Sequence, residues 1–147
     1  MKQLITIVYL FVCFNLSLCA QTMDSTAASR PFAGHFYCAD TDTHIYLNLY
    51  EESLTAPGFS FLGKMHGYMN GGIYGTWMLI SHKTDGKKAT LRFSNDIGSD
   101  SQNIEFTQTS DSTFTYRTVG GNAIRRAVGR KLVKVTDNML FKKLKNY

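Results

Sequence analysis

Hydrophobic and polar positions alternate with a period of two along most of the chain, in short runs broken by glycine-, asparagine- and aspartate-rich turns. The run Gly72–Ile80 carries the only tryptophan. An extended backbone places Ile73, Gly75, Trp77 and Leu79 on one face and Tyr74, Thr76, Met78 and Ile80 on the other. Trp77 is the natural anchor of a core, and Gly75 beside it marks a place where another strand or an aromatic ring approaches the backbone closely. Gly34–Cys38 reads as a first short strand. His44–Glu51 alternates cleanly, with Ile45, Leu47 and Leu49 inward and His44, Tyr46, Asn48 and Tyr50 outward. Ala56-Pro57-Gly58 is a turn, and Phe59–Met69 alternates again before Asn70-Gly71-Gly72, a strong hairpin signal.

Downstream, Thr84-Asp85-Gly86-Lys87 turns the tryptophan strand into Lys88–Ser94, where Ala89, Leu91 and Phe93 share a face. Asn95–Ser101 is a polar loop. Asn103–Gln108 and Thr113–Val119 form a further hairpin, followed across Gly120-Gly121-Asn122 by Ala123–Val128 and Arg130–Val135. Asn138–Tyr147 fits either a last strand or a short amphipathic helix. Eight or nine strands at regular spacing, without helical crossovers, predict an all-β fold. The short sequential turns favour a single antiparallel barrel of about eight strands over a sandwich.

The N-terminus follows a different pattern. Lys2, an apolar run from Leu4 to Phe14 and the small-residue exit Ser17-Leu18-Cys19-Ala20 predict a secretory signal peptide. The predicted organisation is therefore a signal peptide over 1–20, a polar linker over 21–31 and a barrel domain over 32–147. Cleavage before Gln21 yields a soluble periplasmic or extracellular protein. Leu16-Ser17-Leu18-Cys19 also resembles a lipobox, so an outer-membrane lipoprotein held through Cys19 is the alternative. Cys13 lies within the signal and Cys19 at its edge, which leaves Cys38 alone in the domain and excludes a disulfide-stapled mini-protein.

Charge alters the picture in one place. The last 23 residues carry eight Lys and Arg against Asp137 alone, a net +7 within a chain of net +5, so the preceding 124 total −2. A basic C-terminal end of this kind suits an anionic membrane surface, whereas solvated strand faces are the plainer reading. Nucleic acid is not an expected partner, because Tyr46, Tyr50, Tyr68 and Tyr74 lie in the less basic part and the chain is marked for export. No Gly-x-Ser-x-Gly elbow, His-Glu-x-x-His pair or phosphate-cradling glycine loop occurs, and no enzymatic activity is expected.

His35, Cys38, Asp40 and His44 are the residues that could assemble a metal site locally, and thiolate with imidazole favours Cu or Zn. Alternation opposes it, since His35 and Cys38 are three apart on one strand and point to opposite faces. The expectation is no resident metal or cofactor, with Cu or Zn as the alternative.

Gly34, Cys38-Ala39-Asp40, Leu47-Asn48-Leu49, Tyr74-Gly75-Thr76-Trp77, Gly121-Asn122-Ala123-Ile124 and Leu132-Val133-Lys134 occur in an order that resembles the N-terminal domain of the NlpE-like copper-resistance and envelope-stress lipoproteins. The resemblance implies a lipocalin-like barrel with Gly34, Gly75 and Trp77 as structural positions. Thr41 stands where that family has the second cysteine of a Cys-x-x-Cys, so its paired-thiol chemistry is missing. The implied function is an exported, non-enzymatic bacterial envelope protein that binds a small ligand or a protein partner, in envelope stress or copper response. A ligand would enter at the barrel mouth, bordered by Asp40–Thr43, Asn95–Ser101 or the Gly120–Gly121 turn. The alternative is a secreted interaction or inhibitor module with a filled barrel and no ligand cavity.

Overall fold

A computed structural model describes residues 29–145. The predicted signal peptide, its cleavage site, Cys19 and most of the linker lie outside the described residues. Eight antiparallel strands close into a barrel: β1 (Ala33–Cys38), β2 (Thr43–Asn48), β3 (Gly67–Gly71), β4 (Trp77–Asp85), β5 (Lys88–Asn95), β6 (Ser101–Gln108), β7 (Thr113–Gly121) and, last in the chain, β10 (Asn138–Lys143). The first seven form a meander in sequence order. β10 then inserts between β7 and β1 and leaves the barrel without a free edge. The remaining strands, β8 (Arg125–Val128) and β9 (Lys131–Lys134), pair only with each other and stand outside the barrel wall.

The period-two pattern places one face of each strand in the lumen. Phe36, Ile45, Leu47, Met69, Leu91, Phe93, Ile104, Phe106, Phe114, Tyr116 and Phe141 are fully or almost fully buried there. Phe32, at the start of the fold, closes the base, with its ring centroid 6.1 Å from that of Phe114 and 6.5 Å from that of Phe106. Phe106 sits among Phe36, Phe114 and Phe141 at centroid distances of 5.2, 5.1 and 5.8 Å. The lumen is thus occupied by aromatic rings in edge and offset contact, a packing that adds to simple area burial.

Towards the opposite end the interior turns polar. Thr41 and Thr43 share a hydrogen bond of 2.8 Å, the Tyr116 hydroxyl donates to Gln102 Oε1, and Gln102 Nε2 donates to Thr118 Oγ1 at 3.3 Å. Burial pushes the Tyr116 phenol far above its ordinary pKa. Among the described residues no buried side-chain polar atom lacks a partner.

Three expectations need correction. The alternation through Phe59–Met69 does not form one strand: Ser60–Leu62 is a single 3-10 turn, Phe61 is 79% exposed, and β3 starts only at Gly67. Gly58 and Gly63, with φ of +82° and +79°, turn the chain out of extended geometry on either side. The tryptophan strand likewise begins at Trp77, not Gly72. Gly75 has φ +79° and lies in the preceding loop, where a Cβ would come within 2.9 Å of the Asp96 carboxylate. The close approach expected at Gly75 is real, but the neighbour is a carboxylate. Third, Ala123–Val128 and Arg130–Val135 supply a hairpin outside the barrel, and the eighth wall strand comes from Asn138–Lys143 instead.

Trp77 is 3% exposed and belongs to the core. Gly34 (φ +142°) is a wall position where a Cβ would press on the Lys143 side chain at 2.8 Å.

Candidate functional site

β1 and β2 carry the residues that sequence singled out for metal, and their pleat separates them. Phe36 and Cys38 point into the lumen, while His35 and Tyr37 point outward. The hairpin turn 39–42, with Asp42 at φ +51°, sets a register that pairs Tyr37 with His44 and His35 with Tyr46. Tyr46 in turn pairs with Tyr68 on β3. The outer wall therefore bears a ladder of stacked rings: Tyr37 on His44 (4.6 Å), His35 on Tyr46 (4.2 Å) and Tyr46 on Tyr68 (4.7 Å).

Within the ladder His35 Nε2 and His44 Nδ1 lie 2.8 Å apart, a hydrogen bond that needs at least one neutral imidazole. Burial, and then the neighbouring His44, hold the His35 pKa below its ordinary value. Asp42 Oδ1 lies 3.7 Å from His44 Nε2 and accepts from the Tyr37 hydroxyl at 3.2 Å. Cys38 is buried on the other side of the wall, and Asp40 is exposed at the rim. The fold thus brings His35 and His44 together, leaves Cys38 and Asp40 apart from them, and adds Asp42. Among the described residues no group of three or more His, Cys, Asp or Glu is placed to hold a metal ion.

The other two histidines also pair, a relation that spacing in the chain gave no sign of. His66 and His82 pack edge to face at 4.5 Å. His66 Nδ1 is 2.9 Å from the Asn48 carbonyl, which makes it the protonated nitrogen, and Glu52 lies 3.8 Å from Nε2. Burial and His66 lower the His82 pKa.

The three loops proposed to border the mouth share one end of the barrel, since β1, β5 and β7 end there and β2, β6 and β10 begin there. Between the 72–76 and 96–100 loops and the base of the hairpin runs a groove of roughly 270 Å³, lined in part by Tyr74, Trp77, Asn95, Asp100, Asn122 and Arg125. Local bonds fix its shape. Trp77 Nε1 donates to the Tyr74 carbonyl at 3.2 Å, Asn95 Oδ1 accepts from Asp100 N at 3.3 Å, and Asn122 Oδ1 accepts from Ser101 N at 3.0 Å.

The basic C-terminal end, continuous in sequence, is divided by the fold. β10 crosses the whole barrel and carries Lys142 and Lys143 to the base. There Lys143 donates to the carbonyls of Arg30 and Pro31 and lies 5.7 Å from the centre of the Phe36 ring. Arg125, Arg126, Arg130, Lys131 and Lys134 stay at the mouth, on β8, β9 and their turn.

No family model and no curated protein matches the chain. Among solved structures it is similar to pallilysin of Treponema pallidum, with a TM-score of 0.49 and 12% identity over 81% of this chain and 85% of that one.

Proposed function

We propose that this chain is an exported, non-enzymatic barrel module that binds a protein partner at its mouth rim and carries no ligand in its lumen. The observation behind this reading is the lumen itself: the space where a lipocalin-like protein would hold a small molecule is taken by Phe32, Phe36, Phe106, Phe114, Tyr116 and Phe141. A filled eight-stranded barrel is a rigid support, and its loops are free to carry recognition. The rim groove, at roughly 270 Å³, lies just under the 300–1,000 Å³ typical of ligand pockets and has room for an anchoring side chain of a partner.

Export rests on the signal-like N-terminus, and among the described residues no helix is long and apolar enough to cross a membrane. The resemblance to NlpE-like lipoproteins supports an envelope setting. A part in envelope stress or copper response would be exercised through the same rim. The reading requires no metal or cofactor. Native mass spectrometry after gentle extraction tests it: a stable protein complex, weakened by Tyr74→Ala in the groove wall, is expected. A stoichiometric small molecule bound to an otherwise free chain would refute it.

A further inference from the structure

Beyond recognition at the groove, we propose that the β8–β9 hairpin is an arm that docks the barrel on an anionic phospholipid surface. A two-stranded ribbon is marginal by itself in water, and this one has no third strand to support it. Its base is held by Ile124 and Val135, both buried, whose backbone groups bond at 2.8 Å, and by Tyr74 N donating to the Arg125 carbonyl at 2.7 Å. Beyond that base every residue of both strands is exposed. Gly129, with φ +61° and open space where a Cβ would be, forms the tip as the first residue of a two-residue hairpin turn.

The composition of this arm points to its partner. Residues 125–134 contain five cations and no acid. Lys134 pairs with Asp137 at 2.6 Å, whereas no ion pair among the described residues engages Arg125, Arg126, Arg130 or Lys131. The register places Arg126 opposite Val133 and Val128 opposite Lys131, so these four share a face. Arg125 and Leu132, on the other face, turn towards the mouth groove. The free face therefore presents Val128 (52% exposed) and Val133 (42% exposed) between Arg126 and Lys131, with Arg130 at the tip.

Cations alone would suit any polyanion. Exposed valines interleaved with them suit a surface that offers both phosphate and hydrocarbon, which is the bilayer interface. Lys142 and Lys145 lie at the far end of the barrel and take no part, so the docked barrel stands with its mouth towards the membrane.

The test is co-sedimentation of the processed, secreted chain with vesicles of phosphatidylcholine, with and without phosphatidylglycerol. Binding is expected only with phosphatidylglycerol and should weaken steeply with added salt. Each removed cation should cost about a fivefold factor at low salt, so Arg126→Gln/Lys131→Gln should bind roughly 25-fold more weakly. Val128→Ser/Val133→Ser should weaken vesicle binding but leave binding to soluble heparin unchanged. Both pairs lie outside the groove lining and are exposed, so their melting curves should match the parent. Three results would overturn the proposal: no binding to anionic vesicles, equal binding to neutral ones, or valine substitutions that leave vesicle affinity intact. The last would identify a soluble polyanion as the partner. Failure here leaves the groove reading standing, because none of these residues touches the groove.

Discussion

Replacing Phe106 with alanine removes the ring at the centre of the lumenal aromatic cluster, where it meets Phe32, Phe36, Phe114 and Phe141 within 6.5 Å. Surrounding strands are hydrogen-bonded on both sides of β6 and cannot collapse far into the space. A residual cavity of roughly 100 Å³ at about 24 cal/mol per Å³ costs about 2.4 kcal/mol, and the lost transfer energy brings the total to about 4 kcal/mol. For a domain of this size the melting temperature should fall on the order of 15 °C.

Urea unfolding followed through Trp77, the only tryptophan and a buried one, reads the change directly. The midpoint should drop with the slope unchanged, as for a loss of native packing alone. Phe61→Ala, at a ring 79% exposed, is the control and should change stability by less than about 0.5 kcal/mol. A loss below about 1 kcal/mol for Phe106→Ala would refute the reasoning, because it would mean that the ring borders space already empty.

Trp77→Ala should cost about 3 kcal/mol, the low end for a buried aromatic, because its site opens to the mouth groove and water can fill part of the vacated space; chemical denaturation that shows no change would remove Trp77 from the core. The lowered pKa of His35 means that the folded chain binds fewer protons there than the unfolded chain as pH falls through the ordinary value of 6.5. Stability should therefore be full above that value and decline below it, giving a lower melting temperature at about pH 5 than at about pH 7.5. His35→Gln should narrow this difference, His82→Gln should do the same at the second pair, and a melting temperature that rises towards pH 5 would contradict both assignments. If Cu(I) or Zn binds the outer wall, chelator competition should find that affinity lost in His35→Ala or His44→Ala and kept in Cys38→Ser, since the thiol is sealed in the lumen; loss in Cys38→Ser alone would show that the wall opens.

Most of the barrel was legible because period-two alternation has one simple meaning when half of each strand is buried. His44–Glu51 and Lys88–Ser94 carried that signal unambiguously. It misled where glycine intervened. In Phe59–Met69 the apolar residues kept the right spacing, but positive-φ positions at Gly58 and Gly63 broke the strand, and spacing does not report φ. The hairpin was misplaced for another reason. Ala127-Val128 and Leu132-Val133 stand as adjacent pairs between cations, so each face of the ribbon mixes charge with apolar side chains, and strand propensity alone does not report that neither face is buried.

The candidate site was legible in part. Alternation separated His35 from Cys38, but the His35–His44 contact depends on the cross-strand register set by the 39–42 turn. The His66–His82 pair depends on packing between distant segments, which composition cannot reveal.

The filled lumen is tested most directly by aromatic nuclear magnetic resonance of the processed protein during titration with a medium-chain fatty acid. Ring signals of Phe36, Phe106 and Phe141 should stay in place throughout the titration, while in Phe106→Ala the remaining lumenal rings should shift under xenon, which is small and apolar enough to enter the new cavity. Saturable shifts of the three lumenal rings in the unaltered chain would contradict a filled barrel and return the lumen to the role of ligand site.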